Sequence, residues 1–409
     1  MSVHSDAHAV IEAAISACRP DAAVRRALEG RDFSAGVYLV AVGKAAWQMA
    51  ACAAQVLGDR LREGVVVTKY GHAMGAIPRC AIFEGGHPVP DENSFRGTRA
   101  AMDLAEKLGE GDQVVFLVSG GGSALFESPL IPGEELAAVT QALLAGGADI
   151  VEMNTVRKRL SAVKGGRFAQ LCAPAKVFAV VLSDILGDPL DMIASGPACP
   201  DSSTCAQALA VAEKYRLPLS ARAMELLRQE TPKALSNVET VITGSVRELC
   251  AAAAAACQQL GYEPLILTDR LCCEAREAGS FLSSIAKSHD GAKKPLAFLA
   301  GGETVVHLTG DGLGGRNQEL ALSAAPGIAG MADTVIFSLG SDGTDGPTDA
   351  AGGLVDGETQ EKLRSAGWDV YDALGRNDAY HALGAVDGLI RTGPTGTNVN
   401  DVAVVLLRR

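Results

Sequence analysis

One unit recurs along the whole chain and leaves few folds open: a short apolar run, a turn rich in Gly, Ser or Asp, then a helical segment. The runs at residues 37–42, 64–69, 81–84, 114–118, 177–182, 238–243, 264–268, 296–300, 335–339 and 402–407 show little polar alternation. That pattern predicts strands buried on both faces. Helices are predicted at residues 7–18, 45–57, 92–108, 134–145, 246–260 and 274–286. Together these imply an α/β fold, with a largely parallel sheet covered by helices. In such sheets ligands sit beyond the carboxyl ends of the strands.

A chain of 409 residues exceeds one ordinary core, so two domains are expected. The polar stretch at residues 215–237, with Pro218 and Pro232, has the composition of a boundary. No stretch of 18 uninterrupted apolar residues and no signal-type start are present, so neither a membrane span nor secretion is expected. The ten cysteines include no Cys-x-x-Cys pair, which points to reduced thiols in a cytoplasmic protein. A net charge of −12 argues against nucleic-acid binding. An anionic substrate would need a local basic cluster. Residues 154–183 contain Arg157, Lys158, Arg159, Lys164, Arg167 and Lys176 and no acidic residue. They read equally as a solvated helix face or as such a cluster.

The predicted strand ends collect chemistry. After residues 114–118 comes Ser119-Gly120-Gly121-Gly122-Ser123, a glycine turn entering a helix, which presents backbone N–H groups to a phosphate. It is not a Walker A loop, and no lysine follows it. Gly43-Lys44 ends another strand and precedes a helix. A lysine at a helix N-terminus opposes the dipole unless a bound anion offsets it; the alternative is an ordinary surface lysine. Asp184, Asp188 and Asp191 follow the strand at residues 177–182. Carboxylates there suit Mg²⁺, with Asp184 and Asp188 as the ligand candidates, or an N-cap. Asp342, Asp345 and Asp349 form a second acidic cluster, for a metal or for Asx-turns.

Gly-Asp-Gly-Leu-Gly-Gly at residues 310–315 matches Gly-x-Gly-x-x-Gly and is the rival signal, a dinucleotide site. Arg316 follows it directly and is better read as a bidentate anion clamp. His87 lies in the loop Gly-Gly-His-Pro-Val-Pro and is placed to touch substrate; His307 and His381 are read as structural. The Gly-x-Ser-x-Gly elbow of a serine nucleophile is absent.

The chain resembles the glycerate 2-kinase family, whose C-terminal half is the MOFRL domain. The likeness rests on AVGKA (41–45), EGGHPVPD (84–91), VSGGGSAL (118–125), NTVRKRLSAVKGGR (154–167), LSDILGDP (182–189), ASGP (194–197), GGET (301–304), GGRNQE (314–319), GSDGTDGPTDAA (340–351) and GPTGTNVND (393–401). It implies a Rossmann-like three-layer domain over residues 1–235 and a smaller α/β domain over residues 236–409. The MOFRL region would cover residues 295–405, with the active site in the cleft between the domains. It also implies phosphorylation of D-glycerate on its 2-hydroxyl by ATP with Mg²⁺, giving 2-phosphoglycerate. Under that resemblance Lys44 and Arg316 are the active-site cations; the reading of the strand ends fits this, with Asp184 as the metal ligand or the proton acceptor. Residues 119–123, Asn154 and Lys164 are assigned to ATP, with Arg157 and Lys158 as further anion contacts. Relatives of this kind have also been named hydroxypyruvate reductases, so NAD(P)H-dependent reduction is the alternative. Assembly into a homo-oligomer is left open.

Overall fold

The computed structural model describes residues 2–33 and 36–409. The chain forms two compact units, one spanning Ala23–Thr243 and the other made of Gly244–Arg409 together with the residues up to Ala22. The strands of the first unit are β1 (Val37–Val42), β2 (Leu61–Lys69), β3 (Cys80–Gly85), β4 (Gln113–Val118), β5 (Lys176–Val181) and β6 (Val238–Ile242). Those of the second are β7 (Glu263–Leu271), β8 (Leu296–Gly302), β9 (Thr334–Gly340), β10 (Gly352–Asp356), β11 (Leu389–Ile390) and β12 (Asp401–Leu407).

In the first unit all six strands run parallel, in the order β3-β2-β1-β4-β5-β6. Both faces are apolar, as the lack of alternation predicts. Leu39 and Ala41 of β1 and Val115 and Leu117 of β4 pack with Met49, Ala50 and Ala53 of the helix Ala46–Leu57. Val40, Val42, Phe116 and Val118 pack on the opposite face with Ala101, Phe126 and Phe168. The result is three layers, helix, sheet and helix. The order reverses between β1 and β4, so the connections leave these two neighbours to opposite faces and open a crevice at their carboxyl ends. A separate helical cluster gathers Val139, Leu143, Val156, Leu160 and Val211. Residues 215–237, expected as a domain boundary, lie inside this unit, and their helix Ala221–Leu227 contributes Ala223, Leu226 and Leu227 to that cluster.

The second unit departs from the expected parallel sheet. Its order is β11-β10-β9-β12-β8-β7, and only β7 and β8 are parallel. Strands β9 and β12 are buried throughout. A run buried on both faces looks the same in sequence whichever way its neighbours point. Strands β10 and β11 were not predicted; one begins Gly-Gly and the other has two residues. The helix Val3–Ala17 also belongs here, although residues 1–22 were expected with the N-terminal domain. It packs on the helix Val246–Gln259 and on β9 and β12. Its buried Asp6 accepts from Tyr262 Oη at 2.7 Å and pairs with Arg408. These partners lie 256 and 402 residues away, so no local pattern announces them.

Candidate functional site

The two strands at the order reversal carry the two most informative sequence features. β4 empties into residues 119–123, and β1 ends at Gly43-Lys44. Short hydrogen bonds join these turns. Ser119 N–H donates to Val42 O at 3.0 Å, Lys44 N–H to Gly120 O at 2.9 Å and Ala45 N–H to Ser119 Oγ at 3.1 Å. Gly121 has φ +86°, a conformation that favours glycine. The loop then enters the one-turn helix Gly122–Leu125.

Glycine is required here because other groups crowd the backbone. A Cβ on Gly120 would collide with the Asp184 carboxylate. One on Gly121 would sit 3.0 Å from the His87 ring and 3.1 Å from Lys44 Cγ; one on Gly122 would sit 2.6 Å from Ala194 Cβ. Lys44, His87 and Asp184 therefore converge on the glycine loop. Lys44 makes no ion pair among the described residues; its carbonyl is held by Thr68 Oγ1 and His72 Nδ1. Burial, with the charges of Lys44 and Lys69, holds the His87 imidazole below its ordinary value, so it is neutral at pH 7.

Asn154 approaches the loop through Ser195. Ser195 Oγ donates to Asn154 Oδ1 at 2.8 Å and lies 3.0 Å from Ser123 Oγ. The single Ser195 proton is thereby used, so Ser123 donates to Ser195. What Ser123 Oγ keeps for a ligand is acceptor capacity. Ala194, Ser195 and Gly196 take φ of +51°, +62° and +64° in succession. For the two non-glycine residues this costs about 1–2 kcal/mol each. Gly165 and Gly166 hold the turn by donating to Ser195 O at 3.0 Å and Gly196 O at 2.7 Å. Ser195 and Ala194 escaped the sequence reading; the segment Ala-Ser-Gly-Pro was visible, but no local rule predicts a left-handed Ala-Ser pair.

The basic segment resolves into neither of its two expected forms. Lys158, Arg159 and Lys164 are fully buried. Lys158 Nζ pairs with Asp201 at 3.0 Å and Asp191 at 3.3 Å, and Arg159 pairs with Asp201 and Glu230. Lys158 is thus placed in an internal ion-pair network, and Asp191 is engaged by it. Lys164, expected to touch ATP, instead donates to the carbonyls of Ser123 at 2.9 Å and Phe126 at 2.8 Å and pairs with Glu127 at 3.2 Å. Its charge is spent on the loop's own backbone. Asp188 adopts φ +52°, and its buried Oδ1 has no hydrogen-bond partner among the described residues.

Arg316 lies in the second unit, at the start of the helix Arg316–Ile328. Its guanidinium is bidentate on Asp401, at 2.5 and 3.1 Å, and reaches Glu303 Oε1 at 2.9 Å. Burial pushes the Asp401 carboxyl up to about 6, against the pull of Arg316. The second acidic cluster has structural work. Asp345 accepts from the N–H groups of Asn317 and Gln318 at the helix start, Asp342 from Thr344 N–H, and Asp349 binds Tyr380 and Arg391.

The rival glycine motif is also accounted for within this unit. β8 ends at Gly302, so residues 310–315 do not form a strand-to-helix turn. Gly312 N–H donates to Arg376 O at 2.8 Å, and Asn377 Oδ1 takes the N–H groups of Thr309 and Gly310. A Cβ on Gly310 or Gly312 would stand 2.5 Å from Arg376 backbone. These glycines admit a neighbouring loop, the approach that a pyrophosphate makes in a dinucleotide site.

Two family descriptions match: "Domain of unknown function (DUF4147)" over residues 6–228 and the MOFRL family over residues 296–401. The D-glycerate 2-kinase of Thermotoga maritima is 53% identical, over 97% of each chain. The glycerate 2-kinase of Pyrococcus horikoshii is 40% identical, over 93% of this chain and 90% of that one. An Agrobacterium vitis protein named putative hydroxypyruvate reductase is 42% identical, over 97% and 93%. A crystal structure of the Thermotoga maritima glycerate kinase superposes with a TM-score of 0.94 at 52% identity, covering 98% of this chain and 99% of that one. With both family segments present in order and this identity sustained from end to end, the chain belongs to the glycerate 2-kinase family.

Proposed function

We propose that the protein transfers the γ-phosphoryl group of ATP to the 2-hydroxyl of D-glycerate, giving 2-phosphoglycerate and ADP. The observation that carries this reading is the meeting of Lys44, the glycine loop and Asp184 at the order reversal of the parallel sheet. Phosphoryl transfer needs positioning and charge neutralisation more than covalent chemistry. The N–H groups of Gly120, Gly121 and Ser123 hold phosphate oxygens, while that of Gly122 closes the turn onto Ser119 O, and Lys44 neutralises charge on the transferring group. Asp184 accepts the hydroxyl proton or serves the metal. Arg316 offers an anionic group of the substrate the N–H groups that Asp401 and Glu303 leave unused.

Magnesium fits the donor set. No three His, Cys, Asp or Glu side chains among the described residues are grouped to hold a metal by themselves. Mg²⁺ takes one or two carboxylates plus phosphate oxygens. Asp184 would hold it, with Asp188 and the acceptor oxygen of Ser123 as further candidates. Bound there, the ion would neutralise phosphate charge. Ten cysteines, all free thiols, support a reducing cytoplasmic setting.

The test is incubation with Mg-ATP and D-glycerate, the product being identified by phosphorus NMR. 2-Phosphoglycerate is expected; 3-phosphoglycerate would refute the regiochemistry. In a parallel ATP-free assay with hydroxypyruvate, absorbance at 340 nm should not fall. NADH consumption there, with no phosphorylated product in the first assay, would replace the kinase by the reductase.

A further inference from the structure

The one-turn helix that follows the glycine loop cannot hold its own shape. Its four residues, Gly122–Leu125, make too few internal bonds to offset the entropy of ordering them, and its last carbonyls need outside donors. Two cations supply those donors. Lys164 Nζ donates to Ser123 O at 2.9 Å and Phe126 O at 2.8 Å, and Arg157 Nη2 donates to Ser123 O at 3.1 Å. Positive charge at the carbonyl end of a helical turn is the favourable placement.

Glu127 completes the cluster. Its side chain is fully buried, 3.2 Å from Lys164 and 3.7 Å from Arg157. Its carboxylate charge keeps the two cations in place. Burial lowers the Lys164 pKa to about 8, and the Glu127 charge works against that. The residues after Lys164 act on the other side of the loop. Gly165 and Gly166 hold the strained turn whose Ser195 binds Ser123 and whose Ala194 packs on Gly122. A buried ion pair is a weak source of stability, because well-packed apolar side chains of similar volume often do as well. This one therefore calls for another role.

We propose that Lys164 is the positioning residue of the phosphate loop: held by Glu127 and assisted by Arg157, it clamps the carbonyls of Ser123 and Phe126 and so fixes the direction of the N–H groups of Gly120, Gly121 and Ser123. The proposal rests on the reading that this loop binds nucleotide phosphates. It assigns Lys164 no contact with substrate.

The test separates positioning from stability. Lys164→Met alone leaves Glu127 without its nearest cation and should unfold at lower temperature. In the double variant Lys164→Met, Glu127→Gln the unbalanced charge is gone and the melting temperature should recover. ADP affinity by calorimetry should nevertheless stay about tenfold or more below wild type, the scale of losing charged hydrogen bonds. KM for ATP should rise with it, and KM for D-glycerate should hold within about twofold, since the proposed function assigns the loop to nucleotide phosphates. Arg157→Met, at a partly exposed position, should weaken ADP binding in the same direction. ADP affinity within twofold of wild type in a folded double variant, or in Arg157→Met if the double variant does not fold, would overturn the proposal. Gly121→Ala, which strains the loop backbone at φ +86°, tells the two levels apart. If that change leaves ADP binding intact, the loop reading fails and the clamp with it. If it abolishes binding while the clamp variants do not, only the clamp fails.

Discussion

At the scale of single residues, the proposed phosphoryl transfer asks most of Lys44. Among the described residues it has no carboxylate partner, and it sits beside a neutral imidazole and the glycine loop. Neutralising it removes charge stabilisation without removing packing. Lys44→Ala should therefore lower kcat by about 10³-fold or more while circular dichroism and melting temperature stay near wild type. Turnover within about tenfold of wild type in the folded variant would remove Lys44 from the chemistry. Arg316 differs in kind. Asp401 and Glu303 take three of its five N–H groups, so an incoming anion would meet a guanidinium whose charge is already shared with two carboxylates.

At the scale of elements, the glycine loop depends on crowding as much as on flexibility. Gly120 has no Cβ because the Asp184 carboxylate takes that space. Gly120→Ala should push Asp184 away from the loop and cost about 10²-fold in kcat/KM, the penalty of misplacing a reacting group by about 1 Å. A Gly120→Ala variant with wild-type kinetics would show that the contact is incidental. The basic segment makes the complementary point. In sequence it resembles an anion-binding patch; in the fold Lys158, Arg159 and Lys164 are interior groups that fix backbone and carboxylates. Charge runs report composition, and the direction of each side chain depends on which carbonyls and carboxylates the other elements bring near.

At the scale of the whole molecule, buried charges are costly to leave unpaired. Asp201 is fully buried between Lys158 and Arg159 and accepts from Thr231 Oγ1 at 2.6 Å. Burial alone would raise its pKa, but the Thr231 hydroxyl, Lys158 and the Ser203 N–H outweigh it and hold the value below the ordinary 3.8. A depressed carboxyl pKa contributes stability that is full above the unfolded value and is lost as pH falls through the folded one. Asp201→Asn leaves two buried cations short of a partner. It should cost about 3–5 kcal/mol in chemical denaturation at pH 7, a difference that shrinks as pH drops below 3.8. An equally stable variant at pH 7 would mean that the network contributes little.

What the sequence determined by itself was local and periodic. The apolar runs foretold the strand positions of β1, β4, β5, β8, β9 and β12, because burial on both faces leaves a continuous signal. The glycine turn and Lys44 were legible for the same reason, since each needs only its own strand end and the next helix. The motif resemblance named the family. Tertiary structure alone decided that the second sheet is mostly antiparallel, that the first helix packs with the C-terminal segment, and that residues 310–315 serve a neighbouring loop. It also decided that Lys164 faces carbonyls 38 and 41 residues away and that Ser195 links Ser123 to Asn154. Each of these is a contact between distant residues, and neither periodicity nor spacing records which distant groups will share a buried volume.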